Sequence, residues 1–267
     1  MKISIVIPNY NGEMNLRNNL PRVLKAVEYE RRETEVLVVD DASTDKSRDV
    51  LKLYPTVHVI ENIANQGFAI SCNTGIKASS GDIVILLNSD VIPAEDFINP
   101  LVVHFEDDAR VFAVGCLEKV INSNNQIVGE RGVGSLFFKN GIFQHAAGDL
   151  NSNHTDWVCG GSGAYRKDLF LKLGGFDMRF APFYWEDIDL SYRAKLAEYK
   201  LLFERKSIIY HKHAEGSIAR QHGEDEINDI SFRNQIKFTQ KHLGLNLFRW
   251  LEFVFFSVMR LLKETRK

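Results

Sequence analysis

Over the first four predicted strands, short runs of consecutive apolar residues alternate with segments in which apolar residues recur every three or four positions. The runs at residues 3–7, 35–39, 57–60 and 83–87 predict strands buried on both faces. The periodic segments at residues 13–30, 44–53 and 68–78 predict helices, and Ser43 is a candidate cap for the second. This alternation indicates a parallel sheet built from βαβ units.

The second half of the chain is less regular. We expect a strand over residues 111–120, hairpins and mobile loops within the Gly- and Asn-rich residues 122–150, and a short helix that ends at Gly174. A later strand, predicted at residues 208–213, ends in the alternating His211 and His213, which would share one face.

A helix is predicted from residue 185 to about residue 198, with three acidic residues in its first turn, where they are favourable. Asp187 shares a helical stripe with Leu190 and two alanines further on, so it heads an apolar face that points into the fold. Asp189 and Arg193 form an i,i+4 pair that we expect to be solvated. A partly desolvated carboxylate such as Asp187 can have a raised pKa and act as a general base.

The buried run at residues 83–87 ends abruptly in Asn88, Ser89 and Asp90. Ligands bind beyond the carboxyl ends of strands in open α/β sheets, and oxygen atoms of this kind suit a hard divalent cation with its diphosphate. The same residue types are also common turn formers. Taken alone, this pattern leaves both a metal site and a plain turn open.

Composition narrows the function classes. The 267 residues can form one large domain or two small ones, and a net charge of −2 gives no electrostatic reason for a nucleic-acid partner. Three scattered cysteines fit a reducing cytosol. The sequence has no signal-peptide pattern and no apolar stretch of membrane-spanning length. It also lacks a G-x-G-x-x-G turn and a Walker A sequence, which disfavours ordinary dinucleotide-binding and phosphate-loop proteins.

Two further segments carry candidate chemistry. The glycines within residues 157–165 would let backbone approach another group closely, although a tight strand crossing needs small residues as well. His211 can ligate a metal or donate to phosphate, but two histidines without other ligands are more often structural or exposed.

Five short motifs, in this order and spacing, resemble the family 2 glycosyltransferases with the glycosyltransferase A fold. They are residues 5–11 (IVIPNYN), 38–45 (VVDDASTD), 88–90 (NSD), 174–177 (GGFD) and 185–193 (WEDIDLSYR). The resemblance runs from about residue 3 to residue 240. It implies an α/β fold with a Rossmann-like, mainly parallel central sheet flanked by helices, to which this chain adds a C-terminal amphipathic helix.

Domain boundaries follow from the same resemblance. We expect one glycosyltransferase A domain at residues 1–243, divided into a nucleotide-binding half at 1–110 and an acceptor-binding half at 111–243. The amphipathic helix would occupy residues 244–267.

The resemblance also implies roles for individual residues. Pro8 and Tyr10 would line the nucleotide base, and Asp41 would accept a hydrogen bond from the ring N–H that uracil and thymine carry and cytosine lacks. Asp90 matches the last acid of a metal-binding D-x-D motif, Asp187 the catalytic base, and His211 a further metal or diphosphate ligand. The other expected donor-binding residues are Asn11, Asn65, Gly67, Asn73, Asn88 and Ser89. The expected acceptor-binding residues are Trp157, Gly160, Gly161, Trp185 and Glu186.

Asn88 departs from the family pattern, since it stands where the first Asp of the metal motif often is. The change removes one negative charge beside the Mg²⁺ or Mn²⁺ that the resemblance implies, and it leaves strict metal dependence open. The expected reaction is an inverting transfer of a sugar from a UDP- or dTDP-sugar to a hydroxyl of a glycan or lipid-linked acceptor, in cell-surface polysaccharide synthesis.

Two other function classes stay open. A sugar nucleotidyltransferase would also use an α/β sheet and a metal, but it would normally carry a Gly-rich loop after the first strand, where this chain has none. A non-catalytic nucleotide-sugar-binding or membrane-associated interaction module could keep the fold. The intact Asp41, Asp90 and Asp187 argue against that second class.

The aromatic and apolar segment at residues 248–262 has two equally weighted interpretations. It is too short and too charged to span a membrane, but it could lie in the interface with Lys263, Arg266 and Lys267 at the headgroups. It could equally pack against its own domain or a partner. The first interpretation predicts a cytoplasmic protein that lies on the inner face of the cell membrane.

Overall fold

The computed structural model describes residues 1–212 and 222–264. The predictions for His213, Arg266 and Lys267 therefore lie outside the described residues.

The described residues form eleven strands and eight α-helices. The strands are β1 (Ile3–Asn9), β2 (Thr34–Asp40), β3 (His58–Glu61), β4 (Ile83–Leu86), β5 (Val91–Pro93), β6 (Val111–Ile121), β7 (Ile127–Arg131), β8 (Gly134–Lys139), β9 (Ile142–Ala147), β10 (Gly163–Arg166) and β11 (Lys200–His211). The helices are α1 (Glu13–Tyr29), α2 (Ser47–Leu51), α3 (Phe68–Ala78), α4 (Ile98–Asp107), α5 (Lys167–Lys172), α6 (Glu186–Leu196), α7 (Glu224–His242) and α8 (Leu247–Glu264), with a 3-10 turn at Met178–Phe180.

The main sheet has the strand order β3-β2-β1-β4-β10-β6-β11-β5, with β7 paired to β6. Strands β3, β2, β1 and β4 are mutually parallel, as are β6 and β11. Strands β10, β5 and β7 pair antiparallel to their neighbours. The prediction of a mainly parallel central sheet is confirmed. The order of the strands reverses between β1 and β4, and such a switch point is where open α/β sheets bind ligands.

The sheet is covered on both faces. On one face Ile5 and Ile85 pack with α1 and α4, and on the other Val6 and Leu86 pack with α3 and α6. Residues on both faces must therefore be apolar, which explains why β1 and β4 appear in the sequence as unbroken apolar runs.

Two predicted boundaries were wrong. Helix α2 begins at Ser47 rather than at residue 44, because the Ser43 hydroxyl is bonded to Asp40 and to the backbone N–H of Asn11 instead of capping a helix. The last strand begins at Lys200 rather than at residue 208. Its pairing with β6 shifts register between Glu204 and Ile208, which hides the strand in the sequence pattern.

Asp189 was predicted to be solvated, and this is wrong. Its side chain is 0% exposed. The pair with Arg193 forms, with 2.8 Å from Nε to Oδ2, but α7 covers it and adds Lys241 Nζ and His242 Nε2, each at 2.7 Å from Oδ1. Although burial alone would raise the pKa of Asp189, its hydrogen bond from His242 and the nearby charges of Arg193 and Lys241 lower it.

Helix α8 contacts the rest of the protein through one side. Phe253 is buried with Ile142 and Leu243, and the close approach requires Gly141, where a Cβ atom would lie 2.4 Å from the carbonyl oxygen of Glu252. The opposite side exposes Leu247, Phe248, Leu251, Val254, Phe255 and Val258. No helix within the described ranges combines the length and the apolar content needed to cross a membrane.

We predict that Asp189→Asn lowers the free energy of unfolding by about 3–5 kcal/mol at pH 7, because it removes the buried carboxylate that Arg193, Lys241 and His242 share, although Lys241 keeps its ion pair with Asp177. Urea unfolding measures the loss, and Asp229→Asn on the exposed face of α7 is the matched control. The folded-state pKa of Asp189 is lowered, so its contribution is present above the unfolded pKa of about 4 and is lost as pH falls through the lower folded value. The difference between wild type and variant should therefore shrink in acid. Equal stability at pH 7 would contradict the prediction.

Candidate active site

A cleft of about 350 Å³ opens at the carboxyl ends of β1, β2 and β4. It is lined by Pro8, Asn9, Tyr10, Asp41, Asn65, Gly67, Phe68, Ser71, Asn88, Ser89, Asp90, Pro182, Phe183 and His222. Most of the predicted donor-binding residues are therefore brought together. A larger cavity of about 550 Å³ lies elsewhere, between the start of β8 and the end of α6, and its lining contains none of the predicted site residues.

Two predicted donor-binding residues, Asn11 and Asn73, are outside the lining of this cleft. The Asn11 side-chain oxygen accepts hydrogen bonds from the backbone N–H groups of Thr44 and Asp45. The Asn73 amide donates to the carbonyl of Phe176 and accepts from its N–H, both at 2.9 Å. Both asparagines therefore hold loops in place, and their predicted donor-binding role stays a prediction.

Asp41 shapes one wall of the cleft. Its buried carboxylate accepts hydrogen bonds from the Asn62 side chain at 2.7 Å and from the backbone N–H groups of Gln66 and Gly67 at 3.0 and 2.8 Å. These bonds fold the loop before α3 over the carboxylate. Asn65 belongs to the same loop, and its side chain accepts from the N–H of Gly67.

The end of β4 presents oxygen atoms that lack hydrogen-bond partners among the described residues. Asn88 Oδ1 and Asp90 Oδ1 are both buried in this state, and leaving such atoms unsatisfied is costly. Amide and carboxylate oxygens are the ligands that Mg²⁺ and Mn²⁺ accept, so this donor set fits the divalent cation that the sequence implied. Protein side chains alone do not complete a site, since no cluster of three His, Cys, Asp or Glu residues suited to a metal occurs in the described part of the chain.

His211 lies beside this position, as predicted. Its Nε2 atom is 3.5 Å from Asp90 Oδ1, and its Nδ1 atom is 3.5 Å from Glu118 Oε1. Burial lowers the pKa of His211, but the two carboxylates outweigh burial and raise it to about 9. The two carboxylates therefore favour the protonated imidazole, which is placed to face negative charge.

Asp187 stands in the first turn of α6. Its Oδ2 atom accepts from the N–H of Gly160 at 3.0 Å and its Oδ1 atom from its neighbour Ile188 at 2.8 Å. Burial raises the pKa of Asp187 despite these hydrogen bonds. Burial and the charge of Asp187 also raise the pKa of Glu186 well above its usual range. A buried carboxylate with a raised pKa has the character of a general base.

Gly160 and Gly161 connect this carboxylate to the end of β4. The carbonyl of Gly161 accepts from the N–H of Asn88 at 2.8 Å, and a Cβ atom on Gly161 would lie 2.5 Å from the Asn88 side-chain nitrogen. The predicted close approach of backbone in this segment is therefore made to Asn88. Gly160 thus contacts Asp187, and the adjacent Gly161 contacts Asn88.

Aromatic side chains cover the region above α6. The Trp185 ring is buried and contacts the His145 ring, with centroids 5.1 Å apart, and His145 also contacts Trp157 at 5.9 Å. Tyr184 and Trp185 have φ angles of 71° and 77°. Residues with bulky side chains pay about 1–3 kcal/mol each for this left-handed conformation, so the surrounding structure must hold the turn.

Several cleft residues were missed in the sequence: Asn9, Phe68, Ser71, Pro182, Phe183 and His222. Phe68 follows Gly67 directly, and residues 182 and 183 directly precede the motif at 185–193, so adjacency to recognised motifs was an available signal. His222 carries no such signal, because only tertiary packing brings it to the cleft.

Residues 4–174 match the sequence profile of Glycosyl transferase family 2. The pre-mycofactocin glycosyltransferase of Mycobacterium tuberculosis is 26% identical over 213 residues, which is 79% of this chain and 43% of that protein. The undecaprenyl-phosphate 4-deoxy-4-formamido-L-arabinose transferase of Proteus mirabilis is 33% identical over 111 residues, or 40% of this chain and 34% of that protein. The crystal structure of GalNAc-T7 with UDP, GalNAc and Mn²⁺ is similar, with a TM-score of 0.65 at 19% identity, covering 90% of this chain and 48% of that one.

Because the profile covers well over half of the residues, the chain belongs to glycosyl transferase family 2. The predicted glycosyltransferase A fold and transferase class are confirmed. The chain spans about half the length, or less, of these curated relatives.

Proposed function

We propose that the protein is an inverting glycosyltransferase that moves a sugar from a UDP- or dTDP-sugar to a hydroxyl of a glycan or lipid-linked acceptor. One observation carries the proposal: Gly160 donates to the half-buried Asp187, and the adjacent Gly161 accepts from the N–H of Asn88. The side-chain oxygen of Asn88, like Asp90 Oδ1, has no hydrogen-bond partner among the described residues, so the loop that contacts the proposed base also contacts the proposed cation site. The cleft draws on both proposed halves of the domain, residues 1–110 and 111–243.

Asp187 acts as the general base in this reaction. The acceptor hydroxyl loses its proton to the Asp187 carboxylate while its oxygen forms a bond to the anomeric carbon of the donor sugar. The bond from that carbon to the diphosphate oxygen breaks on the opposite side, the nucleoside diphosphate leaves with the electron pair, and the configuration inverts. The N–H of Gly160 orients the carboxylate for the transfer.

Asn88 and Asp90 would hold Mg²⁺ or Mn²⁺, which offsets negative charge on the leaving diphosphate when bound. The cationic His211 faces the same region and can contribute by donating to phosphate. Pro8, Tyr10 and Asp41 line the part of the cleft that is assigned to the uracil or thymine base of the donor nucleotide. The protein supplies three hydrogen-bond donors to Asp41, and because a carboxylate can accept about four hydrogen bonds, it can still accept one from the ring N–H of uracil or thymine.

The acceptor is assigned to the region of Trp157, Gly160, Gly161, Trp185 and Glu186. The name of the Proteus mirabilis relative contains an undecaprenyl phosphate, which supports a lipid-linked acceptor for this chain and a place in cell-surface polysaccharide synthesis. Family membership opposes the two rivals, a sugar nucleotidyltransferase and a non-catalytic module.

Calorimetric titration with UDP and dTDP, with and without Mn²⁺, tests the donor site. We expect Mn²⁺ to strengthen binding of one or both nucleotides in the wild type, and Asp90→Asn to abolish that enhancement, because the swap removes the one carboxylate placed to hold the cation. CDP and GDP are the specificity controls. If a folded sample binds none of these nucleotides, the donor assignment is wrong.

Asp187→Asn should reduce turnover by roughly 10²–10⁴-fold, the usual contribution of a general base. Because burial raises the pKa of Asp187, the wild-type rate should fall with decreasing pH at a value above the ordinary carboxyl range, since only the ionised form accepts a proton. Release of nucleoside diphosphate across pH measures both effects. Near-native turnover of the variant would overturn the assignment.

A second proposal concerns membrane contact. The exposed apolar residues of α8 form one stripe, the other side of the helix packs on the hairpin β8–β9, and the sequence after residue 259 is rich in Lys and Arg. An apolar face next to basic residues is typical of helices that lie in the interface of anionic membranes. We propose that α8 binds the inner face of the cell membrane, where a lipid-linked acceptor would be presented.

Flotation with anionic liposomes tests this contact. We expect the full chain to float, and the triple variant Phe248→Ser, Leu251→Ser, Phe255→Ser to stay in solution, since each change removes apolar surface from the exposed stripe. Ile63→Ser removes an equally exposed apolar residue elsewhere and is the control. Equal flotation of the triple variant and the wild type would remove the proposal.

A further inference from the structure

Three carbonyl groups of the segment before α6 converge on one buried side chain of α7. The Asn234 amide nitrogen lies 2.6 Å from the carbonyl oxygen of Phe180, 2.9 Å from that of Phe183 and 3.0 Å from that of Tyr184. Asn234 is only 1% exposed. Its amide can donate two hydrogen bonds, which are shared among these three acceptors.

Lys237 fixes the orientation of the Asn234 side-chain amide. The side-chain oxygen accepts from Lys237 Nζ at 3.0 Å, and the same ammonium donates to the carbonyl of Arg179 at 2.8 Å. The nitrogen must therefore face the three carbonyls. Four carbonyl groups between residues 179 and 184 thus accept hydrogen bonds from side chains of α7.

That segment is the one that needs external support. It leads into two consecutive residues with positive φ angles, Tyr184 and Trp185, and α6 begins at the next residue, Glu186. Asp187 follows directly. Without donors for its buried carbonyls, nothing would offset the free-energy cost of the positive φ angles, and the turn would lose this conformation.

Helix α7 also holds the other side of α6. Lys241 and His242 bind the buried Asp189, which points away from the cleft in the same helical turns that carry Asp187. Asn234 thus holds the segment before α6, and the last residues of α7 hold the opposite side of the first turns of α6.

We infer that Asn234 is a positioning residue that places the Asp187 carboxylate for proton transfer. The inference rests on the proposed role of Asp187 as the base. Asn234 lies beyond residues 4–174, which match the family profile.

Hydrogen exchange measured by mass spectrometry tests the geometry without any substrate. In Asn234→Ala, amides of residues 180–188 should exchange about tenfold faster or more than in the wild type, because the turn opens locally. Asn228→Ala is the matched control, since Asn228 is an exposed asparagine on the same helix. Unchanged exchange in residues 180–188, or an equal increase throughout the protein, would overturn the inference.

Kinetics test the link to Asp187. Nucleoside diphosphate release is followed with UDP-N-acetylglucosamine, UDP-galactose, UDP-glucose and dTDP-rhamnose, and the fastest donor is used. Asn234→Ala should lower kcat roughly 10- to 100-fold in the wild type but less than about threefold in Asp187→Asn, because residues that act through one another are not additive. Asn234→Asp places a carboxylate, which accepts hydrogen bonds, against the same carbonyl oxygens. Its kcat should therefore be at least as low as that of Asn234→Ala.

The outcomes separate the two proposals. An equal loss of kcat in both backgrounds, or full kcat in Asn234→Ala, overturns the positioning role. Turnover that survives Asp187→Asn, or no turnover of any donor by the wild type, overturns the proposed function instead, and the exchange measurement then decides alone whether Asn234 holds the turn.

Discussion

The site depends on one close approach of backbone to side chain. Gly160 donates to Asp187, and the next residue, Gly161, accepts from Asn88 while packing against its amide. A Cβ atom at Gly161 would push the end of β4 away from α6. Two adjacent residues without side chains therefore connect the half-buried Asp187 carboxylate to Asn88 at the end of β4.

Much of the nucleotide-binding half was predictable from the sequence, because its physics is local. Unbroken apolar runs identify β1 and β4, and polar residues directly after a strand must lie at the sheet edge. Asp90 was found as a cleft residue from its position after a strand, and Pro8 and Tyr10 from the resemblance to the family.

The sequence could not reveal side-chain partners that are distant along the chain. Asn73 is bonded to Phe176, about a hundred positions later. Asp189 resembles half of a surface ion pair until α7 covers it. A pattern along the chain cannot reveal which helix will pack on which face, so the burial of these polar groups required the structure.

The hairpin β8–β9 has a consequence for how this protein can diverge. It forms its own two-stranded sheet, so its ladder shares no hydrogen-bond register with the main sheet. One end carries His145 against Trp157 and Trp185, and the other end meets α8 at Gly141. A residue inserted here shifts no strand of the main sheet, whereas a one-residue slip in β1 or β4 would turn their core residues outward. The hairpin can thus change in length without altering the strand register of the main sheet, although Phe143 ties it to the core around Trp185 and Phe238.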